Sequence, residues 1–324
     1  MPNVVTKHST SIIYLFVNGV WYCYDSTGYT LGDGAMGVVY LGFRCDNQDR
    51  VAIKKVKDKY AGNRLIRECA RNEALITISH PNIVKMIGYC EYAPDYGPIY
   101  ILSEYIPGIT FEDHVKKRLS VLPVEERIRR IISDMLPILS AVQYLHDNGI
   151  VHRDIKPSNL MIDSTSQVKL MDLGVSIPLR DITTNAYEFV GTPEYAAPEL
   201  IPSSGIERVA DARVDIYAVG VTLYELFVGV NPFAGSSYDE TLYRQLYWEL
   251  PENSVLPAKL FAIIKKATEK KPELRYGTIA EMHDELSRFL QNEHPESGTG
   301  WNVMTIFLII MIFISIAMVL IMQL

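Results

Sequence analysis

Apolar residues change their spacing twice along this chain. In SIIYLFVNGVWYCYD, residues 11–25, two apolar and aromatic runs flank Asn18-Gly19. That dipeptide accepts the positive φ angles of a two-residue hairpin turn, so the stretch predicts a β-hairpin. VVYLGF at 38–43 and VAIKKV at 51–56 predict two more strands, joined by the polar RCDNQD. Further on, the period lengthens. Ile128, Ile131, Met135, Leu139, Val142 and Leu145 recur every three or four residues. This predicts a helix that is kinked at Pro137 and ends at Asn148-Gly149. DIYAVGVTLYELFVG, residues 215–229, is apolar on every side and predicts a deeply buried helix. Strands first and helices afterwards imply an α+β fold with segregated layers or two lobes, not alternating βαβ units. There is no internal repeat or low-complexity segment.

The last apolar run is of another kind. VMTIFLIIMIFISIAMVLIM, residues 303–322, is interrupted only by Thr305 and Ser315. A helix of that length spans about 30 Å, the thickness of a bilayer core. The pattern predicts a transmembrane helix over 302–323, reached through a polar linker, 292–301, that ends in an interfacial Trp301. Only Gln323 and Leu324 follow, so the expected arrangement is single-pass with a C-terminal anchor. The net charge of −7 argues against nucleic acid as a general partner, since a phosphate-binding surface carries a basic excess. Cys23, Cys45, Cys69 and Cys90 form no CxxC pair, which suits neither zinc nor a disulfide scaffold. They read as small apolar residues in a reducing compartment.

Chemistry concentrates in IVHRDIKPSNLMID, residues 150–163. A core strand cannot hold so much charge without partners, because an unpaired buried charge is very costly. LGDGAMGVVY carries Gly32, Gly34 and Gly37 in G-x-G-x-x-G spacing. β-branched and aromatic residues follow, so this loop joins two strands where a dinucleotide fold would open a helix. Its glycines let a flexible flap approach a ligand at backbone range. VAIK then supplies Lys54, the charged stretch Asp154, Lys156 and Asn159, VKLMDLG Asp172, and GTPEYAAPE residues 191–199.

With these motifs in this order, the chain resembles eukaryotic-type protein kinases over about residues 29–290. Lys156, two residues after Asp154, and GTPEY are similar to the Ser/Thr branch. GAMGVVYLG and EYIPGITFEDHV look most like bacterial membrane-anchored Ser/Thr kinases. The resemblance implies a bilobal fold: a hairpin extension at 1–26, a small β-rich lobe at 27–105 and a larger helical lobe at 106–291. It implies transfer of the ATP γ-phosphoryl group to protein Ser and Thr hydroxyls, with autophosphorylation, and it is compatible with dimerisation. The domain would face the cytoplasm, where ATP is. The Gly32, Gly34 and Gly37 flap, with Leu31, Val39 and Ala52, would cover the nucleotide, and Lys54 would contact its α- and β-phosphates. Asp172 and Asn159 would hold Mg²⁺, or Mn²⁺. Asp154 would accept the hydroxyl proton, Lys156 would neutralise the γ-phosphoryl, and Thr192 would tie the two together. His152 would brace the loop. Glu104 and Ile106 would bond adenine through the backbone, with Ser103 as gatekeeper. Asp215 would hold the catalytic loop, and Glu199 with Arg275 would form a buried ion pair.

The chain departs from the family pattern in two places. Leu173 stands where Phe is commoner. The helix glutamate that should pair with Lys54 falls, by spacing back from His80, on Arg71; Glu73 is the preferred candidate and Glu68 the other. The segment 172–199 leaves a further choice open. Arg153 implies an anionic partner there, either the built-in carboxylate of Glu188 or phosphorylated Thr183 or Thr184. A reading of another class is a catalytically silent nucleotide-binding scaffold that recruits partners to a membrane. Silent relatives usually lose the lysine, the catalytic Asp or the metal Asp, and here Lys54, Asp154 and Asp172 are all present.

Overall fold

Eight strands between residues 4 and 104 form one sheet, in the order β1-β2-β3-β5-β6-β8-β7 with β4 also on β5. They belong to a computed structural model that describes residues 4–7, 11–34, 37–60, 62–75, 78–91, 97–173, 177–178, 192–201 and 211–293. β1 (Val4–Lys7), β2 (Ile12–Val17) and β3 (Val20–Asp25) form a meander. Its second turn is Asn18-Gly19, with φ of 50° and 83°. β3 and β4 (Thr30–Asp33) both pair with β5 (Gly37–Arg44), through Tyr24↔Gly42 and Thr30↔Tyr40, and residues 26–29 bow out between them. β6 (Arg50–Val56), β8 (Ile99–Glu104) and β7 (Met86–Glu91) complete the sheet.

Because strand side chains alternate, this sheet can be buried on both faces. Val56, Ile99 and Ile101 pack with Ala70 and Ala74 of α1 (Arg64–Leu75). The alternate residues, Val51, Ile53, Tyr100 and Leu102, form a second core with Ile13, Leu15, Val17, Tyr22, Tyr24 and Cys90. The hairpin therefore curls across the face opposite α1. Asn18 Nδ2 donates to Ile87 O at 2.8 Å, which brings its turn to β7 at the other side of the sheet.

The rest of the described chain is mainly helical. β9 (Gly108–Thr110) leads into α2 (Phe111–His114), a π-helical turn, and α3 (Val124–Asp147), which runs through Pro137 as one helix. α4 (Arg213–Val228) is buried nearly all round and ends at Gly229 in the left-handed region, φ 89°. A Cβ on Gly220 would come within 2.9 Å of Ala267, so this glycine allows α4 to lie close on α6 (Ala258–Ala267). α5 (Tyr238–Tyr247) and α7 (Ile279–Glu293) are further helices of this part of the chain. Between α3 and α4 lie β10 (Ile150–Val151), β11 (Leu160–Asp163), β12 (Val168–Leu170) and β13 (Ile177–Pro178). β12 docks on the β-rich lobe: Leu170 N–H donates to Asn82 O at 2.8 Å, and Val84 N–H to Leu170 O at 2.9 Å.

The chain divides into two units, 1–286 and 287–324, and the second is described only as far as residue 293. Among the described residues no helix is long and apolar enough to cross a membrane. The run 303–322 lies outside them, as do Gly191, Thr183, Thr184 and Glu188.

Candidate active site

The charged stretch of the sequence falls on the loop between β10 and β11, beside the end of β12. Asp215, fully buried near the start of α4, holds that loop from beneath. It accepts the N–H groups of His152 and Arg153, both at 2.8 Å, and lies 2.8 Å from His146 Nε2. Burial opposes its charge, but the hydrogen bond and charge of His146, then His152 and the Arg153 amide, outweigh it and hold the carboxyl below the usual range. Arg153 has φ of 68°, a left-handed conformation that costs energy for a non-glycine residue and turns the chain sharply before Asp154. His152 braces the other side, with Nδ1 accepting from Asp154 N–H at 3.2 Å and Nε2 at 3.1 Å from Met171 O.

Asp154 is the centre of a closed set of contacts. Thr192 Oγ1 donates to its Oδ1 at 2.6 Å, while Asn159 Nδ2 and Lys156 Nζ both reach Oδ2 at 2.8 Å. Lys156 Nζ also donates to Thr192 Oγ1. With Nδ2 committed to Asp154 by side chain and backbone, the oxygen of Asn159 is the atom it has to offer a cation.

A second set lies on the sheet side. Lys54, paired with Val39 and Ile101 on neighbouring strands, donates to Asp172 Oδ1 at 2.5 Å and to Glu73 Oε2 at 3.3 Å. Burial works against the ammonium, but Asp172 and Glu73 outweigh it and raise its pKa above the ordinary lysine value. Glu73 is pushed up to about 7 by burial, against the pull of Lys54, with the Asp172 charge adding to the rise. Asp172 goes the other way, to about 2, because Lys54 and then Lys156 and His152 overcome its burial cost. It too is left-handed, with φ of 55°, and Leu173 behind it is fully buried. Of the two glutamates that spacing allowed, Glu73 is the one against Lys54, while Glu68 is exposed. Arg71 turns to Glu91 instead.

The glycine flap joins β4 to β5. Gly37 has no room for a side chain, since a Cβ would stand 2.7 Å from Lys55 O. Among the described residues, Gly32 has nothing within 4 Å of that position, and Gly34 only Gly37 O at 3.7 Å. Leu31 and Val39 are half-buried, and Ala52, buried on β6, pairs with half-buried Ser103 on β8. Glu104 donates its N–H to Lys85 O at 2.9 Å, so its amide is already committed within the sheet. Its side chain takes Lys85 N–H at 2.9 Å and Lys169 Nζ at 2.6 Å. Ile106 is buried just beyond.

The donors present fit a nucleotide with a hard cation. Among the described residues no group of three or more His, Cys, Asp or Glu could hold a metal alone. Mg²⁺ bound through one carboxylate and nucleotide phosphates needs no such cage. Farther away, Arg275 grips Glu199 with two bonds of 2.7 and 2.8 Å, both side chains buried. His146 and Glu91 lie in none of the motifs above, and Lys169, inside VKLMDLG, carried no expected role. For His146 the one available signal was its place in the last turn of the predicted helix, facing the loop.

The family model described as protein kinase domain matches residues 26–286. Serine/threonine-protein kinase PknB of Mycobacterium tuberculosis (strain H37Rv) is 34% identical over 283 residues, covering 83% of this chain and 43% of PknB. Serine/threonine-protein kinase PrkC of Bacillus subtilis (strain 168) is 34% identical over 263 residues, covering 79% of this chain and 39% of PrkC. A probable serine/threonine-protein kinase, MARK-C of Dictyostelium discoideum, is 31% identical over 256 residues, covering 79% and 32%. This chain spans less than half the length of each.

Proposed function

The chain belongs to the protein kinase family, and from that membership and the geometry of its cleft we propose that it transfers the γ-phosphoryl group of ATP to Ser and Thr hydroxyls of proteins, its own among them. The observation that carries this reading is the closed set of Asp154, Lys156, Thr192 and Asn159, with contacts of 2.6–2.8 Å around one carboxylate. Phosphoryl transfer asks a protein mainly for placement and charge neutralisation. Asp154 orients the incoming hydroxyl and takes its proton. Lys156, held by Asp154 and Thr192, neutralises charge on the transferred group, and Lys54 does so on the α- and β-phosphates. Asp172 and Asn159 are the residues that would hold Mg²⁺ or Mn²⁺, which supplies further neutralisation of phosphate charge when bound. The flap at Gly32, Gly34 and Gly37, with Leu31, Val39 and Ala52, covers the nucleotide, and Glu104 and Ile106 bond its base. The silent scaffold has against it that Lys54, Asp154 and Asp172 are all present, with Lys54 paired to Asp172.

The same reading places the domain at a membrane, on the cytoplasmic side, held by the apolar run 303–322. The catalytic part is tested by incubating the full chain with radiolabelled ATP, Mg²⁺ and a basic model protein, then separating the phosphoamino acids. Label on Ser or Thr that disappears in Asp154→Asn supports it. Label on Tyr alone, or none on protein under any divalent cation, refutes it.

A further inference from the structure

The pairing of Lys54 with Glu73 depends on how α1 is seated. Ala70 and Ala74 pack against Val56, Ile99 and Ile101 of the sheet. A polar attachment lies on another side of the helix. Arg67 and Arg71, one turn apart, share a single carboxylate at the end of β7, Glu91. Arg71 Nε donates to Glu91 Oε1 at 2.6 Å and its Nη2 to Oε2 at 2.9 Å. Arg67 Nη2 reaches Oε2 at 2.8 Å, and its Nη1 donates to Gly97 O at 2.9 Å, just ahead of β8. Arg67 is only 3% exposed. Paired, forked arginine contacts of this sort fix direction as well as distance.

The angular relation gives the clamp its consequence. Residues advance by about 100° around a helix, so Glu73 stands about 200° from Arg71. One face of α1 is fastened to β7 while the other presents Glu73 to the cleft. A roll that frees Arg71 therefore swings Glu73 off Lys54. We propose that Glu91 is a positioning residue for phosphoryl transfer: by holding Arg67 and Arg71 it fixes the roll of α1 and keeps Glu73 on Lys54. The two arginines keep the Glu91 carboxyl below its usual range in spite of burial, so the clamp is charged at neutral pH. The proposal rests on the kinase reading above for its consequence, and on the α1 contacts for its existence.

Glu91→Ala leaves Arg67 buried without its carboxylate and can fail to fold, so the test uses Arg71→Ala and Glu91→Gln in the full chain. Each is expected to lower kcat/KM for ATP by about tenfold or more, within the roughly 10²-fold cost of a misplacement of about 1 Å. The division of the loss between kcat and KM should match that of Glu73→Ala. Added to Glu73→Ala, Arg71→Ala should cost less than about twofold more, because both remove the same contact. A merely structural role would lower the melting temperature and multiply with the Glu73→Ala loss. Full multiplication, or kcat/KM within about twofold of wild type in both single variants, overturns the proposal. If the wild-type chain transfers no phosphate, the kinase reading fails separately, and hydrogen exchange decides the clamp. Amides of residues 64–75 should then exchange faster in both variants while those of β6 and β8 do not, and unchanged exchange in α1 overturns it.

Discussion

Asp154 takes contacts from three side chains, and all three lie in short motifs around it or in GTPEY. That is why this part of the site is legible in sequence: the loop is short, and its residues are fixed relative to one another by local backbone. Asp154→Asn should keep the fold and nucleotide binding while phosphotransfer falls roughly 10²–10⁴-fold, the usual worth of general-base assistance. Steady-state transfer alongside binding of a fluorescent nucleotide checks this, and wild-type turnover in the variant removes Asp154 from its role. The partner of Lys54 was not legible in the same way. Counting back from His80 lands on Arg71, and only the course of the chain between α1 and β7 decides which residue faces the cleft. Asp215 bears on stability. Its pKa is lowered by folding, so its contribution is present above the unfolded value of 3.8 and lost as pH falls through the lower folded value. In urea melts, Asp215→Asn should be less stable than wild type at pH 7. The gap should stay constant down to about pH 4 and narrow below it; a gap unchanged at pH 3 contradicts the assignment.

At the scale of elements, the hairpin around Asn18-Gly19 could be read from two adjacent residues, but its destination could not. Nothing in residues 11–25 says that Leu15 and Val17 will meet Tyr100 and Leu102, more than eighty positions away. The alternation in IYILSE does allow it. Ile99 and Ile101 serve α1, and Tyr100 and Leu102 need a cover on the other face. The protein kinase domain match starts at residue 26, so this cover lies outside the matched region. Leu15 is fully buried, and Leu15→Ala should cost about 2–5 kcal/mol of unfolding free energy by chemical denaturation. Removing residues 1–25 should do more, exposing one whole apolar face of the sheet and causing aggregation. A truncated chain that stays monomeric at the wild-type melting temperature would show that the hairpin is dispensable.

At the scale of the whole molecule, the sequence joins a protein kinase domain to a run that water does not favour. Residues 303–322 hold no charged side chain, and the nearest acidic group before them is Glu296. A core helix in a water-soluble protein normally keeps a polar stripe, whereas a spanning helix has none to keep. The full chain should therefore sediment with membranes and resist carbonate extraction. A chain ending at Gly300 should stay in solution without detergent and retain transferase activity, because Lys54, Asp154 and Asp172 all lie well before that point. Orientation needs its own measurement, since no Lys or Arg lies between Gln291 and Trp301 to set it by charge. With ATP as the proposed donor, the domain is expected to face the cytoplasm. Protease added to intact cells should then leave the domain whole, and protease added to inverted vesicles should digest it. The opposite pattern would exclude cytoplasmic ATP as the donor. Recovery of the full chain in the soluble fraction would remove the membrane from the account while leaving the cleft chemistry untouched.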